Sequence, residues 1–181
     1  VAQEKLAAQI GRDVLARGGN AVDAAVATGF AMAVSYPRAG NIGGGGFMVI
    51  HLADGNKDIA IDYRETAPAA ATRDMFLGAD GKPDTAKSRD SALGIGVPGT
   101  VAGLTLALER FGSGKFTLAQ LLQPAIAMAR DGIAVTDDIA DTLPGWHRRL
   151  ARWPTAAAIF SRADGTPLRE GDTLRQPDLA T

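Results

Sequence analysis

Arg64 is the residue of this chain whose type and setting most clearly suggest chemistry. It ends an apolar hairpin strand, stands between Tyr63 and Glu65, and follows a run of four glycines at 43–46. A guanidinium offers a planar pair of donors that matches a carboxylate bidentately. Recognition of a substrate carboxylate is therefore one assignment for Arg64. The other is an ion pair with Asp62, Glu65 or a more distant acid, and the residues alone leave both open.

Other candidate motifs point to structural roles. Gly94-x-Gly96-x-x-Gly99 matches the spacing of a dinucleotide loop and precedes a helix. That loop needs a buried strand before it and an acid roughly 20 residues on. Here Lys87-Ser88-Arg89-Asp90-Ser91 precedes it, and Ala119 and Gln120 stand where the acid belongs. We read it as a turn. The glycines at 43–46 lead into Phe47-Met48-Val49-Ile50, a strand, rather than the Lys-Ser or Lys-Thr and helix of a phosphate loop. They suit close backbone approach instead. His51 and His147 are the only histidines and lack metal-ligand spacing. His147 adjoins Arg148 and Arg149 on an expected solvated helix face. Thr100 lies at a helix start, where first-turn hydrogen bonding is the plain role; a nucleophile there needs a positioned base, and none is visible locally. No catalytic residue, cofactor or metal is assigned to this chain.

These residues need elements to position them. Leu6, Ile10 and Val14 trace a first helix over residues 3–17, closed by Gly18-Gly19. Asn20 and Asp23 form a capping-box pattern for a second helix over 21–34, apolar on nearly every side. Residues 46–53 and 58–64 read as a hairpin about Asp54-Gly55, with Ile59, Ile61 and Tyr63 on one face and Ala60, Asp62 and Arg64 on the other. Residues 66–97 are loop-rich, with a short helical turn near Asp74. Pro98 starts a helix striped by Val101, Leu104, Leu108 and Phe111 and ended by Gly112. Thr117 and Gln120 box the start of the next, which reaches Arg130 with Pro124 as a candidate kink. Thr136 opens a helix toward Pro144. The remainder reads as charged and irregular, and residues 176–181 as the start of an element. The expected class is α+β, helices on a largely antiparallel sheet.

The charge balance excludes whole classes of partner. There are 19 basic and 20 acidic side chains, a net charge of −1, so no electrostatic case exists for nucleic acid or acidic membranes. No apolar run reaches transmembrane length. With no cysteine, disulfides and thiol chemistry are excluded. The first ten residues carry no signal peptide, and a chain starting at Val1 reads as a processed or truncated product.

Five segments in order resemble the γ-glutamyltransferase family. They are Gly18-Gly19-Asn20-Ala21-Val22-Asp23-Ala24-Ala25, Asn41-Ile42-Gly43-Gly44-Gly45-Gly46-Phe47, Asp62-Tyr63-Arg64-Glu65 with Ala67-Pro68, Pro98-Gly99-Thr100-Val101-Ala102-Gly103, and Ala129-Arg130-Asp131-Gly132. The resemblance implies that residues 1–181 are the N-terminal portion of a large subunit, an incomplete domain with a partial N-terminal nucleophile hydrolase-like αββα sandwich.

It further implies a precursor that cleaves itself, exposing a threonine at the start of a small subunit. That threonine attacks a γ-glutamyl amide such as glutathione, and the acyl-enzyme passes to an amino acid, a peptide or water. Arg64 matches the family's arginine for the α-carboxylate of the small-molecule γ-glutamyl substrate. The nucleophile signature, a Thr-Thr-His-Tyr-Ser-like run, does not occur in these residues. The implied partners are the rest of the large subunit and the small subunit, without nucleic acid or membrane, in the periplasm or secreted. Alternatives on the same scaffold are a cephalosporin-type acylase and a poly-γ-glutamate-processing enzyme; from another class, a non-catalytic structural fragment. An unfinished apolar surface is expected where partners dock.

Overall fold

Two glycines separate the first two helices of the computed structural model, which describes residues 1–181. Gly18, at φ +85°, closes α1 (Lys5–Ala16) in a backbone region that favours glycine. The Asn20 side chain then accepts from the N–H groups of Val22 and Asp23 at the start of α2 (Ala21–Ser35). The Asp23 carboxylate accepts from the Asn20 N–H at 2.8 Å. This is the capping box that the sequence pattern predicts.

Residues 42–106 form one compact unit, and residues 1–41 with 107–181 form another. In the second of these, α2 is the central helix, with ten of its residues buried. The expected α1 stripe of Leu6, Ile10 and Val14 is corrected: Ala7, Gly11 and Val14 are the buried residues. A Cβ on Gly11 would stand 2.4 Å from Thr28 Oγ1, so α1 and α2 meet along small residues, with Leu6 and Ile10 half-buried beside the contact. Helix α4 (Thr100–Phe111) has its first residues in the 42–106 unit and its last in this one. The Asp23 side chain, fully buried, also accepts from the Ser113 N–H at 3.2 Å. Helix α5 (Leu118–Asp131) starts at the expected Thr117–Gln120 box and runs through Pro124.

The last third is more ordered than its charge suggests. Helix α6 (Asp137–Leu150) continues past Pro144, and is followed by α7 (Pro154–Phe160) and α8 (Pro177–Ala180). Strands β3 (Ile133–Ala134) and β4 (Thr173–Leu174) pair antiparallel. Ile133, Val135, Ile139, Leu143, Leu168 and Leu174 make one apolar cluster. Its packing offsets the backbone bond that Pro144 omits, while Arg148, Arg149 and Arg152 occupy exposed positions. Charge on the outer face had hidden the inner one.

An ion pair locks the turn before β4. Arg162 Nε donates to Asp172 Oδ2 at 2.6 Å, and the Arg169 N–H donates to the same oxygen at 2.7 Å. The Arg162 bond, followed by that backbone donor, holds the Asp172 carboxyl below its ordinary value of 3.8. A carboxyl lowered in the folded state contributes stability above its unfolded pKa and loses it as pH falls through the folded one. The stability lost in Asp172→Asn should thus be complete at neutral pH and shrink once pH drops below about 4. Urea unfolding of both proteins across the acid range measures it; a difference independent of pH would count against the pair.

In the 42–106 unit, β1 (Phe47–Leu52) and β2 (Lys57–Asp62) form the expected hairpin, with Phe47 opposite Asp62 and Leu52 opposite Lys57. Its connection spans residues 53–56 rather than Asp54-Gly55 alone, with Gly55 at φ +81° and Asn56 at φ +45°. Ile50 and Ile61 face inward, whereas Phe47 (63% exposed) and Val49 (77%) face out. Residues 66–97 are loop-rich as expected, with turns about Asp74. They also contain α3 (Thr85–Arg89), capped by Asp84, and a 3-10 turn at Ala92–Gly94, both short elements that periodicity does not reveal. No helix is long and apolar enough to cross a membrane.

Candidate functional site

The hairpin ladder runs one pair beyond β2. The Tyr63 N–H donates to the Gly46 carbonyl at 3.0 Å, and the Gly46 N–H donates back at 3.4 Å. The chain then turns. Asp62 Oδ1 accepts from the Arg64 N–H at 3.0 Å, a side-chain turn of the kind aspartate makes two residues on. Thr66 and Val97 next exchange both backbone bonds, at 3.3 and 2.8 Å. The N–H groups of Gly99 and Thr100 both donate to the Gly44 carbonyl, at 2.8 and 3.0 Å. Arg64 thus lies between two backbone ties, Tyr63 to Gly46 and Thr66 to Val97, and the 44–46 and 97–100 segments are themselves joined through Gly44.

Glycine makes this spacing possible. A Cβ on Gly45 would lie 2.5 Å from the Tyr63 carbonyl oxygen and 2.8 Å from Arg64 Cα. One on Gly99 would lie 2.0 Å from the same oxygen, and one on Gly96 2.9 Å from Glu65 Cβ. The close-approach role expected for 43–46 therefore holds at Gly45 and Gly46. The Gly94-x-Gly96-x-x-Gly99 run also serves close approach, with Gly94 against the Ser88 carbonyl, and it begins inside a 3-10 turn rather than after a strand.

The Arg64 side chain is 66% exposed and stands 3.8 Å from Glu65 Oε2, beyond hydrogen-bond distance. Its guanidinium carbon lies 5.9 Å from the centre of the Phe47 ring. The Asp62 carboxylate is engaged with backbone instead. Of the acids considered for an ion pair, Glu65 is the one in reach, and exposed pairs contribute about 0–1 kcal/mol. The donor fork is available to an incoming carboxylate. A cleft of about 350 Å3 opens beside it, lined among others by Arg64, Glu65, Pro68, Phe76 and Ile95. Burial raises the Tyr63 phenol above its ordinary value, so this neighbour stays neutral.

The remaining candidates stay apart from Arg64 in role. His51 Nδ1 pairs with Asp58 Oδ1 at 2.8 Å on the exposed hairpin face. His147 belongs to the other unit; it is half-buried against Ser161 Oγ at 2.8 Å, which corrects the expected solvated face. Thr100 is buried at the start of α4, with its N–H on Gly44. Sequence reasoning missed Asp62 and Tyr63 as supports of Arg64. An aspartate two residues before the arginine at a strand end was the available signal for the first.

Comparison with known proteins bears on the whole of this arrangement. The γ-glutamyltranspeptidase family model matches residues 7–181. The chain is 53% identical over 175 residues to the glutathione hydrolase proenzyme of Escherichia coli (strain K12), covering 96% of this chain and 30% of that protein. It is 40% identical over 186 residues to the acylase ACY 1 proenzyme of Pseudomonas sp. (strain V22), covering 99% and 33%. The crystal structure of Helicobacter pylori γ-glutamyltranspeptidase matches with a TM-score of 0.95 at 45% identity, covering 99% of this chain and 51% of that one. The chain thus spans about a third of the length of these curated relatives, both of them proenzymes. The α+β class holds, and the structural neighbours are N-terminal nucleophile hydrolases.

Proposed function

The chain belongs to the γ-glutamyltranspeptidase family, and on that premise we propose that it is the N-terminal, substrate-gripping part of the large subunit of a γ-glutamyltransferase or glutathione hydrolase. The observation that carries this reading is Arg64. Its backbone is tied on both sides, and its guanidinium stands exposed with its donor fork open. In the complete enzyme the fork grips the α-carboxylate of the glutamyl group.

The chemistry itself belongs to the small subunit. Its N-terminal threonine hydroxyl attacks the γ-amide carbonyl and gives its proton to its own α-amine, directly or through water. The C–N bond breaks, the amine leaves with a proton, and an ester to the threonine remains. An amino acid, a peptide or water then takes the glutamyl group. Residues 1–181 supply position, not the nucleophile, and form an incomplete domain. The exposed Phe47, Val49, Ile95 and Val97 suit burial against the rest of the large subunit and the small subunit. The compartment that goes with this reading is the periplasm or the exterior.

A second reading, a cephalosporin-type acylase, draws on the similarity to the acylase proenzyme. One experiment separates the two. The complete protein is incubated with a γ-glutamyl anilide and, in parallel, with a cephalosporin amide. The expected result is aniline release, with an acid-stable glutamyl adduct on the polypeptide that begins with threonine. Turnover of the cephalosporin alone would favour the acylase; no adduct with either donor would overturn both.

A further inference from the structure

Tyr63 is held more tightly than a neighbour of a binding residue needs to be. Its ring fills a slot between two glycines that lie far apart in sequence. A Cβ on Gly103 would stand 2.2 Å from Tyr63 Cγ and 2.5 Å from both Cβ and Cδ1. One on Gly46 would stand 2.9 Å from Cε2 and 3.1 Å from the phenol oxygen. The Tyr63 carbonyl is enclosed in the same way by Gly45 and Gly99. Gly103 lies on α4, four residues after Gly99, so the two face the same side of the helix start. Ring and carbonyl are thereby gripped by one helix end and one glycine run.

We propose that Tyr63 is a positioning residue: its ring, seated between Gly46 and Gly103, sets where the adjoining Arg64 presents its donor fork to the α-carboxylate. This rests on the reading of Arg64 as the carboxylate grip. The physical reason is leverage. Arg64 is exposed and has a long, flexible side chain, and its own contacts are weak: a 3.8 Å approach to Glu65 and the Phe47 ring face. Nothing at the guanidinium itself fixes the fork. What is fixed is the backbone from which it extends, and the largest side chain anchoring that backbone is Tyr63. The ring does this work, since its packing is against both glycines; removing the hydroxyl alone leaves the seat filled.

The test uses the complete enzyme and two donors, a γ-glutamyl anilide and the 4-aminobutyryl anilide that lacks only the α-carboxylate. The quantity read is the ratio of their kcat/KM values, because loss of folded enzyme lowers both equally and cancels. Tyr63→Ala should lower the preference for the γ-glutamyl donor about tenfold, the size of effect expected from weakening one charge-assisted hydrogen bond to the carboxylate. The loss should appear mainly in KM. Tyr63→Phe should keep the preference. Arg64→Ala is measured alongside. If Arg64→Ala lowers the ratio and Tyr63→Ala does not, the positioning role is overturned and the carboxylate grip stands. If Arg64→Ala leaves the ratio unchanged, the grip itself fails and the positioning role with it. Loss of preference in Tyr63→Phe would overturn the ring-packing argument. Should Tyr63→Ala give no processed enzyme, Tyr63→Leu fills much of the slot without a flat ring and carries the same ratio test.

Discussion

Replacing Arg64 with alanine in the complete enzyme should reduce kcat/KM for a γ-glutamyl donor by about 10- to 100-fold. A hydrogen bond to a charged group contributes roughly 1.5–3 kcal/mol, and each 1.4 kcal/mol is about tenfold in specificity. Arg64→Lys keeps the charge but loses the fork, so it should recover only part of the loss. Thermal stability should hardly change. The side chain is 66% exposed, and its approach to Glu65 is a surface contact of the weak kind. A donor without the α-carboxylate should lose far less than the normal one. If both donors fall together, or if the unfolding midpoint drops while kinetics hold, Arg64 is a structural residue.

Gly99→Ala should have the largest effect on folding in this part of the chain. The new methyl carbon would stand 2.0 Å from the Tyr63 carbonyl oxygen and 2.8 Å from its carbon. Both are backbone atoms, so no side-chain rotation relieves the contact. Overpacking of a well-packed site costs about 1–3 kcal/mol, and more where backbone must shift. The Gly99 N–H bond to Gly44, at 2.8 Å, is lost or stretched as the segments part. We expect a loss of about 3 kcal/mol or a protein that fails to mature. Gly145→Ala is the matched control: nothing lies within 4 Å of the added carbon, and the position is in the exposed middle of α6. It should be neutral or stabilise by up to about 1 kcal/mol. Urea unfolding of the three proteins decides. Equal midpoints for Gly99→Ala and the parent would show that the 63–66 segment yields easily, and would remove the basis for a fixed Arg64.

How much was legible in the residues divides along a physical line. Signals whose partners lie within a few residues were readable: the Asn20–Asp23 and Thr117–Gln120 boxes, the glycine stop at Gly18, and the alternation that folds β1 onto β2. A cap or a hairpin pair is closed by its own neighbours, so local chemistry determines it. The family, too, was legible, because five ordered segments carry it. The structure decided what depends on distant neighbours. Leu6 and Ile10 gave a convincing apolar stripe, yet Gly11 is buried, because Thr28 comes close enough to exclude any Cβ there. Pro144 looked like an end, yet α6 continues because Ile139 and Leu143 pack on Leu168 and Leu174. Glycine is the sharpest case. The spacing at 94, 96 and 99 is the same whether a phosphate or a backbone is to approach, since glycine records only that space is needed. What occupies the space is set by where the rest of the chain passes. Here it is the Ser88 carbonyl at Gly94, the Glu65 side chain at Gly96 and the Tyr63 carbonyl at Gly99, and through the last two the placing of Arg64.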